Sequence, residues 1–198
     1  MNASNSATPS ARTNGAHASA HAEANAVVSF WRNAGPASWF AKNDDFDQAF
    51  RTSFCDLHFA AARRECDRWL DDPYGNLALI LLLDQFPRNA FRGSAHMYAT
   101  DSLARAYART AIDSNAIAAI EDTLKLFVCL PFVHSENIED QHYALDLYER
   151  HSPDNLRHAQ EHCEIVRRFG RFPHRNFQLG RASTPAEQAF LDSGGFSG

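Results

Sequence analysis

Three stretches of this chain carry more reactive side chains than a hydrophobic core needs. The first is Asp84-Gln85-Phe86-Pro87-Arg88-Asn89, with Arg92-Gly93 just beyond. It follows directly on the apolar run Leu77–Leu83, so Asp84 and Gln85 stand at the end of a buried element. A carboxylate there requires partners, and Arg88 or Arg92 can supply them. The second is Leu130-Pro131-Phe132-Val133-His134-Ser135-Glu136, continuing to Asp140-Gln141. Ser135 reads as a helix N-cap, which puts Glu136, Glu139 and Asp140 in first turns where the dipole favours negative charge. Gln141 shares a stripe with Ile138, Leu145 and Tyr148, and His134 lies just ahead of it. Polar groups on an apolar face are hydrogen-bonded or line a cavity. The third runs from His158 and His162 to Arg181, with five arginines, His174 and no acid between Ile165 and Pro185.

Together these residues suit one kind of chemistry. Arginine and asparagine bind carboxylate or phosphate, and imidazole moves protons near neutral pH. Asp84, Gln85, Arg88 and Asn89 would form one wall of a pocket. His134, Glu136 and Gln141 would form a second, and His162, Arg171, His174, Arg175 and Asn176 a third. The ligand would be an anionic small molecule. His134 or His174 would be the acid or base, with Glu136 or Asp84 orienting it. This inventory fits a hydrolase or lyase; no serine or cysteine sits in a nucleophile motif, which disfavours a covalent mechanism. His158 and His162 share a helix face, but without an HExxH pattern no metal is assigned, and no cofactor either. Two other readings stay open. The arginines can pair with Glu136, Glu139, Asp140 and Asp146 to lock helix ends through a polar network. Alternatively, stacked helices can clamp an acidic peptide or a C-terminal carboxylate.

The elements that must position these residues are helical. Phe46, Phe50, Phe54, Leu57 and Ala61 predict an amphipathic helix from about 45 to 70. Asp72-Pro73 is an N-cap with proline at the first helical position. Leu77–Leu83, apolar on every side, predicts a central buried helix that Pro87 must break, with Phe86 outside the helical region. Leu103 to Thr110 and Ile117 to Phe127 continue the pattern, Ser152-Pro153 opens a further helix, and Thr184-Pro185-Ala186-Glu187 is a capping box. Strand signals are missing. The fold class is all-α, about seven to eight helices packed as stacked helical hairpins.

Residues 1–25 hold almost no large apolar side chain and are expected to be disordered. A single domain is expected over 26–192, with a flexible end over 193–198. In this 198-residue chain the formal net charge of −5 argues against a nucleic-acid partner. The longest apolar stretch is too short to span a membrane. Four scattered cysteines without an export signal imply reduced thiols and a cytoplasmic protein. Nothing in the sequence sets the oligomeric state.

These strings, with Arg168-Phe169-Gly170-Arg171-Phe172-Pro173-His174-Arg175-Asn176 and Leu179-Gly180-Arg181, resemble the bacterial family of domain of unknown function 924. The resemblance runs from about Val27 to Leu191. It implies a helical fold related to the tetratricopeptide-like superhelices, and it implies no established activity. The Trp, Leu-Gly and Tyr repeat pattern of tetratricopeptides is not visible, so the likeness is one of architecture.

Overall fold

The computed structural model describes the backbone of residues 10–196 and the side chains of residues 22–196. Among these residues there is no strand. The helices are α1 (Ser10–Ala34), α2 (Pro36–Trp39), α3 (Asp44–Ala62), α4 (Pro73–Ile80), α5 (Phe86–Ala90), α6 (Asp101–Asp113), α7 (Asp122–Val133), α8 (Ile138–His151), α9 (Leu156–Phe169) and α10 (Pro185–Asp192). The expected seven or eight omitted the one-turn pieces α2 and α5, which are too short to show a period.

The segment expected to be disordered differs in part. Helix α1 begins at Ser10, and Ala24 is buried beside Val27, Val28 and Trp31. Alanine is the best helix former and leaves no side-chain entropy to lose. Residues 1–9 lie outside the described residues. Helix α3 is also shorter than expected. It stops at Ala62, the chain reverses at Arg64 (φ 65°), and Asp67–Asp71 forms a 3₁₀ turn. Gly75, in the first turn of α4, allows that turn to pass close by: a Cβ there would lie 2.3 Å from the Trp69 carbonyl oxygen.

Helix α4 is the hub, in contact with α1, α6 and α7, and every residue from Leu77 to Leu83 is fully buried. Helices α6 to α9 pack consecutively, and α3 packs on α5. A second, smaller apolar cluster of Ile165, Val166 and Phe172 seats Phe169, Phe190 and Phe196.

Pro87 does not break the central helix. Leu81–Gln85 widens into a π turn, the Phe86 N–H donates to the Leu81 carbonyl, and Phe86 is helical (φ −54°, ψ −48°). The π register and Pro87, which has no N–H to give, take helical donors from the carbonyls here. Side chains replace them. His58 Nδ1–H donates to the Leu82 oxygen at 2.8 Å, and the Thr100 hydroxyl donates to the Leu83 oxygen at 2.5 Å. Buried carbonyls must be paired, and these two side chains make the wide turn tolerable.

Candidate functional site

The π turn delivers Asp84, Gln85, Arg88 and Asn89 to the edge of a cleft of about 500 Å³. Gln85, Arg88 and Asn89 line it from this wall, His134 from the end of α7, and His162, His174 and Arg175 from α9 and the loop after it. The three stretches therefore do meet.

Asp84 is fully buried beneath that surface. Its carboxylate accepts from His134 Nδ1–H at 2.8 Å and from the Gln85 amide at 2.6 Å, and lies 3.2 Å from Arg88. Burial alone would raise its pKa. The charge of Arg88 and the hydrogen bonds from His134 and Gln85 outweigh that, so the carboxyl is held well below the usual carboxylate range. Burial and the nearby Arg88 push the His134 pKa down, against the pull of Asp84. The outcome is a neutral imidazole whose Nδ1 proton is committed to Asp84. Its Nε2 lone pair finds no protein donor among the described residues, and the ring lines the cleft.

Arg88 forks onto both oxygens of Asp101, at 2.8 and 2.9 Å, and donates to the Asp84 carbonyl at 2.7 Å. Arg92 is held by Asp47 and by the Asn89 side-chain oxygen. Arg175 is different. It is 6 % exposed, and among the described residues its side chain makes one hydrogen bond, a long 3.4 Å contact to Asp101, while its Nε is buried without a partner. The rings of Tyr98 and Phe172 lie 4.5 and 4.6 Å from its guanidinium carbon.

His162 and His174 complete the wall. Burial, with His158 next, lowers the His162 pKa to about 2. Burial, with Arg175 next, lowers that of His174 to about 3. His162 Nδ1–H donates to the His158 carbonyl at 2.9 Å. Phe196, in the end expected to be flexible, packs on His162 with ring centroids 4.4 Å apart and lines the cleft; residues 197–198 lie outside the described residues. No group of three or more His, Cys, Asp or Glu is placed to hold a metal ion among the described residues.

Four expected pocket residues lie elsewhere. Glu136 does not orient His134; it accepts from Arg181 at 2.7 and 2.9 Å and from the Phe172 N–H at 2.8 Å. Ser135 is not the N-cap, because Asn137 caps α8 and so places Glu136 before the helix. Gln141 is fully buried and donates to the Val133 and Ser135 carbonyls at 2.7 and 2.6 Å, closing the end of α7. Arg171 forks onto Glu187 at 2.6 and 2.8 Å. Asn176 bonds Ser183 and accepts from Arg181. Glu136, Arg171 and Asn176 bind the loop after α9 to its surroundings. Asp140, expected opposite the same arginines, instead takes Arg105 and Arg109.

Sequence reasoning missed Asp101, Tyr98, Trp39, Phe40 and Phe196. Asp101 sits in the first turn of α6, where an acid already has a helix-dipole explanation, so nothing marked it as a cross-chain partner. The aromatics stand in none of the three polar stretches, so nothing in the sequence singled them out.

The fold and cleft define a helical protein of the bacterial family of unknown function DUF924, to which the chain belongs: the family model matches residues 27–195. The structure is similar to that of ATU0120, a protein of unknown function from Agrobacterium tumefaciens, at 52% identity and a TM-score of 0.85. That likeness covers 87% of this chain and 98% of the other. No curated protein matches the chain.

Proposed function

We propose that the cleft binds a small organic anion and acts on it as a hydrolase or lyase, with Arg175 holding the anion and His134 as general base. The observation that carries this is Arg175: a buried guanidinium with unfilled donors, in the same cleft as an imidazole whose other nitrogen is tied to Asp84. An unpaired buried donor costs about 1–3 kcal/mol, more when charged, and an incoming carboxylate removes that cost. Asp84 fixes the His134 tautomer and stabilises the cation formed when Nε2 takes a proton. Proton abstraction is the step that activation of water and elimination share.

Consecutive packing of α6 to α9 supports a tetratricopeptide-like stacking, and with it a second reading in which the anion is a peptide C-terminus. The four free cysteines support a reducing, cytoplasmic setting. No helix among the described residues is long and apolar enough to cross a membrane.

The test is calorimetric titration with malonate, succinate, benzoate, inorganic phosphate and a tetrapeptide with free or amidated C-terminus. At least one anion should bind, and Arg175→Met, its fold checked by circular dichroism, should weaken that binding about tenfold or more. Binding of none, or binding indifferent to Arg175→Met, overturns the anion site. Preference for the free-ended peptide over every small anion selects the second reading.

A further inference from the structure

The cleft is larger and more apolar than a bare anion needs. We infer that its ligand is an amphipathic monocarboxylate, with the carboxylate at Arg175 and a hydrocarbon or aromatic tail running out along Leu130, Leu126, Trp39 and Phe40. This rests on the anion site proposed above.

The head group follows from the cleft's one buried guanidinium nitrogen without a partner among the described residues. Arg88 pairs with Asp84 and Asp101, Arg92 with Asp47, and Arg175 only loosely with Asp101 at 3.4 Å. Among the described residues Arg175 is the cleft arginine whose buried Nε lacks a partner, and its single long side-chain bond to Asp101 leaves one guanidinium's open edge, which suits one carboxylate. Tyr98 and Phe172 lie close against the guanidinium, and its Nε lacks a partner. Nη2 finds no acceptor among the described residues either. The Nε–Nη2 edge carries two parallel N–H groups, the fork that fits a planar carboxylate. The other wall groups near it, His134, His162 and His174, are held neutral by burial and add no positive charge for a dianionic phosphate.

The tail follows from what lies beyond Arg175. Trp39 is fixed by its Nε1–H bond to the Trp31 carbonyl at 2.7 Å and stands edge-on to Phe127, so its ring is a rigid wall. Phe40 is 62 % exposed at the cleft, an unusual setting for a large apolar ring. A second hollow of about 470 Å³ shares Trp39, Phe40, Leu126 and Asn155 with the cleft. A tail leaving Arg175 thus meets Leu130, Leu126, Trp39 and Phe40 along the cleft before the more polar second hollow, and covering Phe40 removes its exposed surface from water.

Calorimetry with acetate, butyrate, hexanoate and octanoate, beside hexanamide and inorganic phosphate, tests this. Affinity should rise roughly two- to fourfold per added methylene. Hexanamide should bind about tenfold or more weaker than hexanoate, because it lacks the charge. Phe40→Ser, a surface change that leaves the core intact, should weaken octanoate about fivefold and leave butyrate nearly unchanged. A flat series that still depends on Arg175 leaves the anion site standing and overturns the tail. Phosphate binding in place of the carboxylates overturns the head group. If no anion binds, both proposals fall.

Discussion

At the scale of single residues, the centre of the molecule is the contact between Asp84 and His134. Asp84 joins an imidazole, an amide and a guanidinium in one buried spot, and each of them would be costly left alone. Asp84→Asn removes the carboxylate that contacts both Arg88 and His134. The expected cost is about 3 kcal/mol in urea unfolding. In the unchanged protein, nitrogen-detected NMR should show His134 neutral at pH 6.5 with its proton on Nδ1. A protonated His134 at that pH would contradict the proposed base. Gln85, Arg88 and Asn89 were legible in the sequence as polar residues after an apolar run, His134 as one ahead of an apolar stripe, and His162, His174 and Arg175 as members of a stretch rich in histidine and arginine. Which of their neighbours shared the cleft was not. Gln141 and Asn176 carry the same signal, yet turn it inward to carbonyls and to Arg181. Hydrogen-bonding capacity is written in a residue's type, whereas its partner is set by packing between elements far apart in sequence.

At the scale of elements, local rules read well wherever the cause was local. Asp72 caps α4 by accepting from the Gly75 N–H, and Thr184 with Glu187 forms the full capping box of α10. The π turn was not legible, since proline in an apolar helix ordinarily ends it. Its survival depends on His58 and Thr100, which lie 24 and 17 residues from the carbonyls they satisfy. Thr100→Val keeps the shape and deletes the donor to Leu83. It should therefore cost about 1–3 kcal/mol, read as a lower urea midpoint with an unchanged slope. No loss would mean the turn does not need that hydroxyl.

At the scale of the whole molecule, the buried histidines predict how stability responds to acid. Folded pKa values of about 2 for His162 and about 3 for His174 lie below the unfolded value of roughly 6.5. Between those limits the unfolded chain binds more protons, so stability falls as pH falls. Each group contributes about 1.4 kcal/mol per pH unit below 6.5. Asp84 acts in a lower window: its folded pKa is depressed, so its contribution is present above about 3.9 and fades only below that. The melting temperature should thus drop steadily from pH 6.5 to 4.5, and His162→Leu should make the decline shallower. An unchanged melting temperature over that range would show these imidazoles to be wetter than their packing implies.

The widened turn at Leu81–Gln85 also has a consequence for chain length. A helical residue advances about 100° around the axis. Deleting one position between Leu81 and Gln85 would let the segment relax toward a regular α-helix. Everything after it would swing by roughly that angle, carrying Arg88 and Asn89 off the cleft while the apolar composition barely changed. Aligned relatives one residue shorter here would keep the scaffold and lose the wall, so a gap at this point separates proteins able to share this site from those that share only its frame.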